Sequence, residues 1–186
     1  ELVALPRIDR AVDVFTTDPT ASLLIVGNVS SRLVDALSEA LRAQRWRVTG
    51  SQAHSGTTGS SETATDQPTD SQADLCVVIL GEPTTISEAQ QVLSDSILAI
   101  KAASKALIPT GGRAALLAVT TVDGALGFGD LDVDPVAAMA AGIGGAVKTL
   151  AAERPELFCR AVDVNPLVDP DQFARTIIDE SHDSAV

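Results

Sequence analysis

Tyrosine is absent from this chain of 186 residues, and tryptophan and methionine occur once each. Chemistry that needs a phenolic proton donor is therefore beyond the chain's own side chains. Histidine and cysteine are nearly as scarce, at two each. A structural zinc site needs four such ligands at close spacing, and His54, His182, Cys76 and Cys159 are scattered. Both cysteines sit in apolar runs, "DLCVVIL" and "LFCRAVDV", which predicts buried, reduced thiols. Both histidines fall in polar stretches expected to be mobile. Cations are in deficit: 13 Lys and Arg against 25 Asp and Glu leave a formal net charge of −12. Such a surface repels phosphate backbones, which argues against nucleic acid as a partner. No run of strongly apolar residues approaches the roughly 20 that a membrane span needs, and no signal peptide opens the sequence. We therefore expect a cytoplasmic protein with no membrane partner. The first residues are Glu1, Leu2 and Val3, and the expectation is a piece of a longer polypeptide.

Several catalytic signatures are also missing. There is no G-x-S-x-G nucleophile elbow and no P-loop lysine motif. Asp13, Asp123, Asp130, Asp132 and Asp134 suggest a carboxylate pair or a calcium site at first sight. The stretch "DLDVDP", however, has neither the central glycine nor the closing glutamate of a calcium loop. A phospho-receiver domain needs an aspartate ending its third strand, where "VVILGE" offers only Glu82.

What is present is core. Hydrophobic residues make up 45% of the chain, enough for one domain over residues 21–186, preceded by a segment, 1–20, expected to pack along its edge. Strands are predicted at 22–27, 46–50, 73–80, 112–120 and 158–164. Helices are predicted at 31–44, 85–107 and 135–154, with a last one in "DPDQFARTIIDE" capped by Asp169. Residues 51–72 are rich in Ser, Thr, Gly and Asp, and such a stretch cannot bury enough surface to offset its ordering entropy. A long disordered loop is expected there. Strand–helix alternation of this kind predicts a doubly wound parallel sheet of about five strands, Rossmann-like and truncated, with helices on both faces.

One stretch is more specific. In "GIGGAVKTLAAERPELFCRAVDV" (142–164), Gly145, Lys148, Thr149, Ala151, Glu153, Pro155, Val162 and Asp163 fit a helix reading G-x-x-K-[ST]-x-A-x-E-x-P that runs into a strand ending in V-D. This resembles the short-chain dehydrogenase/reductase superfamily, and is most similar to the ketoreductase regions of type I polyketide synthases and polyunsaturated fatty acid synthases. "DGALG" (123–127) resembles the same region. Such ketoreductases have two Rossmann-like halves, a silent structural one and a catalytic one that holds NADPH.

Three sites decide which half this chain resembles. The reductase phosphate loop reads T-G-x-x-x-G-x-G, and Asn28, Arg32 and Val34 stand at its glycine positions, with Gly27 one place early. Valine at the helix–strand contact and arginine at the phosphate approach obstruct that binding mode, although Arg32 offers a phosphate its charge. No acidic residue follows "WRVTG" to hold a ribose. Val78, Ile79 and Leu80 fill the N-N-A positions of the third strand. Counting back from Lys148, the Tyr-x-x-x-Lys positions fall on Val136 and Ala140. Thr120 and Thr121 lie near the helper serine's place and do nothing alone.

The expectation is therefore a catalytically silent structural half, with no catalytic, cofactor-binding or metal-binding residue of its own. The resemblance implies that a catalytic, NADPH-dependent half follows in the same polypeptide, among other synthase domains. It would pair with this chain through helices 85–107 and 135–154. Ala137, Ala138, Ala141, Gly142, Gly144 and Gly145 would let a partner helix approach, or else let this helix sit close on its own sheet. Two alternatives stay open: a divergent reductase-like enzyme binding nucleotide in another way, and a free-standing Rossmann-like interaction module.

Overall fold

A computed structural model describes residues 14–53, 72–109, 112–128 and 134–183. The elements run β1 (Thr20–Val26), α1 (Ser31–Ala43), β2 (Arg47–Ala53), β3 (Leu75–Leu80), α2 (Ile86–Ala106), β4 (Ala115–Thr120), α3 (Pro135–Ala141), α4 (Ile143–Glu153), β5 (Phe158–Asp163) and α5 (Pro170–His182). The five strands form one sheet in the order β2-β1-β3-β4-β5. All the pairings are parallel. The chain has a Rossmann-like, doubly wound α/β fold.

The sequence pattern explains the layers. Side chains alternate along a strand, so a strand covered on both sides needs apolar residues throughout. Every residue of β3 and of β4 is buried. Cys76, Val78, Leu80, Leu116 and Ala118 join a core under α2, α3 and α4. Leu75, Val77, Ile79, Leu117 and Val119 join a second core under α1 and α5, built on Leu37, Leu41, Phe173 and Ile177. α2 is capped by Thr85, whose hydroxyl accepts from Glu88 N at 3.2 Å. Asp169 caps α5 as predicted, accepting from Gln172 N at 2.9 Å.

Residues 14–19 cross the N-terminal edge of the sheet. Arg113 N donates to Val14 O at 2.7 Å, and Asp74 accepts from Thr20 N at 2.8 Å. The Phe15 ring stands edge-on to Trp46 and to His182, with centroids 4.7 and 5.3 Å away. The Arg113 guanidinium lies 4.2 Å from the Phe158 ring centre and donates to Ser181 O and Asp183 O, which ties down the end of α5.

Several expectations change. β2 continues to Ala53, where Ser51 and Gln52 pair with Leu24 and Ile25, so the strand extends into the segment expected to be loop. β1 supplies the ladder partners that the polar composition of 51–53 does not advertise. The rest of that expected loop, 54–71, lies outside the described residues, as do residues 1–13 and His54. The helix expected over 135–154 is interrupted at Gly142, where a side chain would come within 3.0 Å of Met139 O. His182 ends α5 and packs on Phe15 instead of lying in a loose tail. Cys159 is only half-buried, because β5 is an edge strand.

The cysteines cannot bridge each other. Cys76 and Cys159 pair with Leu116 from opposite sides, two strand spacings or roughly 9.5 Å apart, beyond a disulfide's reach. Burial pushes the Cys76 thiol up to about 12, and the Cys159 thiol, by the same desolvation, to about 11. The folded state therefore holds thiol protons that the unfolded chain loses near pH ~8.5. That stabilisation is complete below the unfolded value and is lost as pH rises through the folded values. The urea midpoint is expected to fall as pH is raised above about 9. A Cys76→Ala/Cys159→Ala variant should show a shallower fall across the same range; an equal slope would contradict the assignment.

Ser96 lies on α2, fully buried, and its hydroxyl finds no partner among the described residues. Removing an unsatisfied buried hydroxyl relieves a desolvation cost. Ser96→Ala is expected to stabilise the fold by about 1 kcal/mol. Thermal unfolding should then move up by roughly 2–4 °C.

Candidate functional site

In a doubly wound sheet, ligands enter the crevice at the carboxyl ends of the strands, where strand order reverses. Here that point lies between β1 and β3, since the chain passes from β1 to β2 on one side and resumes at β3 on the other. β1 is followed by Gly27, which adopts φ +79 and turns the chain. A side chain at Gly27 would come within 2.9 Å of Val92 on α2. Gly27 thus permits close packing as well as the turn, but against α2 and not α1.

The turn after β1 closes onto β3. A side chain at Gly81 would stand 2.5 Å from Asn28 N and 2.6 Å from Asn28 O, and Gly81 N donates to Val26 O at 2.7 Å. The backbone of residue 28 therefore rests directly on residue 81, in the gap between the strands. Of the other residues at the phosphate-loop positions, Arg32 is exposed in the first turn of α1 and Val34 packs partly buried on the α1/α5 core. Val78, Ile79 and Leu80 are core residues at 0, 1 and 2% exposure. Val136 is half-buried on α3, and Ala140 is buried.

Two crevices flank the Glu82–Pro83 segment. One, of about 390 Å³, is lined by Asn28, Ser30, Leu33, Glu82 and Thr121 among others. The second, of about 270 Å³, lies between Leu80, Pro83, Val122, Ala137 and Pro166, with Glu82 and Asp134 in its wall. Among the described residues, no lysine, arginine or histidine lines either crevice. Thr121 Oγ1 donates to Glu82 Oε1 at 3.0 Å across the ridge that separates them.

The sequence reading missed the most connected polar group in this region. Asp163, at the end of β5, accepts from Thr120 Oγ1 at 2.7 Å and from Val122 N at 2.8 Å through one oxygen. Its other oxygen accepts from Asp123 N (3.0 Å), Gly124 N (2.6 Å) and Leu126 N (3.0 Å). Asp123 in turn accepts from Ala125 N at 2.8 Å and Gly127 N at 2.9 Å. Gly124, Leu126 and Gly127 all have positive φ, so amides along this loop turn inward toward the two carboxylates. The V-D strand ending, the "DGALG" stretch and the candidate Asp123 were the signals in the sequence that pointed here.

The remaining candidates have structural partners. Thr120 is committed to Asp163 and Thr121 to Glu82. Asp134 caps α3, accepting from Val136 N at 3.0 Å. Asp13, Asp130 and Asp132 lie outside the described residues, among which no group of three or more His, Cys, Asp or Glu could hold a metal.

The comparisons bear on the fold. No protein-family profile and no curated protein matches the chain. Among solved structures, it is similar to a protein of Escherichia coli str. K-12 classed as an oxidoreductase, with a TM-score of 0.52 and 14% identity over 85% of this chain and 88% of that one. It is also similar to a short-chain dehydrogenase from Mycobacterium smegmatis, with a TM-score of 0.53 and 13% identity over 97% of this chain and 92% of that one.

Asp163→Asn leaves one acceptor oxygen and sets an amide donor against backbone N–H groups. The cost is expected to be about 2–4 kcal/mol. Amide exchange should accelerate at residues 122–126 while the amides of β3 stay protected; unchanged exchange in the loop would refute this role. The chain shares its Rossmann-like fold with these two structures.

Proposed function

We propose that the chain is a catalytically silent scaffold, the structural half of a cytoplasmic synthase ketoreductase of the polyketide or polyunsaturated fatty acid type. In this reading it braces an NADPH-dependent β-ketoacyl-reducing half of the same polypeptide and binds no cofactor itself. The observation that carries the reading is the phosphate-loop region itself, where Asn28, Arg32 and Val34 replace the glycines and the backbone of Asn28 packs against Gly81. Apolar side chains at 78–80, with Val136 and Ala140 at the positions of the tyrosine and lysine, agree with it.

The outer face of α2 and α4 supports the pairing. Ile97 and Leu98 are 44 and 60% exposed there. The stretch Pro135–Glu153 is rich in apolar residues, yet most of it is not buried within this chain. Its small residues divide between two roles. Gly142 lies against Leu93 of α2 and Gly144 against Ala161 of β5, whereas Gly145 faces open space. A neighbouring helix could approach along the open part. The acidic net charge of −12 agrees with a partner other than nucleic acid. A divergent nucleotide-binding enzyme is the second reading, favoured by the 390 Å³ crevice at the switch point.

Titration with NADPH, followed by its fluorescence, separates the two: no binding is expected, and micromolar affinity would overturn the scaffold reading. Co-expression with the ketoreductase half of the parent polypeptide, as two separate chains, should yield a complex. Leu98→Asp should abolish that complex without moving this chain's own unfolding midpoint.

A further inference from the structure

The crevice on the α3 side has a chemistry that neither a cofactor nor the scaffold role requires. Its walls are aliphatic, from Leu80, Val122, Ala137 and Pro166, and it encloses about 270 Å³. Glu82 and Asp134 belong to the same wall, both exposed, and among the described residues neither has an ion-pair partner. Their known hydrogen bonds come from neutral donors, Thr121 Oγ1 and Val136 N. An anion is repelled here. The group that fits is a cation on an aliphatic stem, because an arginine or lysine side chain buries its methylenes while its head reaches carboxylates.

Two exposed apolar side chains on loops beside the crevice favour a cation carried on a protein. Phe128 and Leu167 are 90 and 92% exposed, the two most exposed large apolar side chains among the described residues. They stand on loops at the same end of the sheet. Gly127 approaches Ala138 of α3, next to Phe128, and Gly124 abuts Asn165, two residues before Leu167. Asp169, the cap of α5, and Asp171 in its first turn are both exposed and add negative charge beyond Leu167. Apolar side chains beside a crevice whose carboxylates have no ion-pair partner among the described residues match a partner surface that carries a basic side chain among apolar ones. We propose that this carboxyl-end surface docks such a protein segment, an arginine or lysine of the partner entering the crevice between Glu82 and Asp134 while its apolar neighbours cover Phe128 and Leu167. The proposal is independent of the ketoreductase reading, since it uses neither the outer face of α2 and α4 nor the dinucleotide gap.

The test is an NMR titration of the full chain, ¹⁵N-labelled, with a model helical peptide bearing arginine and leucine on one face. Control peptides replace each arginine by glutamine or by glutamate. Shift changes are expected at Thr121, Val122, Ala137 and Leu167, with affinity falling as salt is added. Glu82→Gln/Asp134→Asn should weaken binding roughly tenfold or more, and Phe128→Ser/Leu167→Ser likewise. These positions are exposed and asparagine still caps a helix, so unfolding midpoints should hold. Shifts spread over every acidic face, equal binding of the glutamine peptide, or indifference to the carboxylate substitutions would each overturn the proposal.

Discussion

The burial of two adjacent strands on both faces is the constraint from which the rest of the fold follows. β3 and β4 leave no side chain facing water, so both faces of the sheet must be covered over these two strands. That requirement places α1 and α5 on one side and α2, α3 and α4 on the other. It also removes chemistry from the centre of the sheet. A side chain at 78, 79 or 80 belongs to the core in this arrangement, and valine, isoleucine and leucine fill those places.

At the carboxyl ends of the strands, loops must satisfy their own polar groups. The turn after β1 does so by packing backbone on backbone at Gly81, which only glycine allows. The loop after β4 does so by folding its amides around Asp163 and Asp123. A carboxylate that accepts four backbone amides and a hydroxyl plays the part that a bound anion plays at a helix terminus elsewhere. The loop's inward amides are thereby matched by the chain's own charge. The same loop leads to Phe128, so Asp163 and Asp123 also fix how that apolar tip is presented.

Much of the fold was legible because it rests on local patterns. "LCVVIL" and "ALLAVT" are readable as fully covered strands without any knowledge of their neighbours. The Asp169 cap is a local device and was found in place. Elements that depend on a distant partner were not legible. β2 reaches Ala53 because β1 offers ladder partners to a polar stretch. The break at Gly142 arises where α3 and α4 meet Leu93 of α2. The position of His182 depends on Phe15, at the other end of the chain.

The site divides in the same way. Composition alone establishes that this chain has no tyrosine and carries a strong excess of acid, because those are counts that no folding can alter. Spacing alone establishes the alternation of strand and helix, because apolar periodicity is a property of each segment. Only the tertiary structure could bring Asp163 under the amides of 122–126, or put Glu82, Asp134 and Pro166 around one crevice. Those groups lie far apart in sequence and meet only when parallel strands align their carboxyl ends. The same alignment set the backbone of Asn28 against Gly81, beside the 390 Å³ crevice at the ends of β1 and β3.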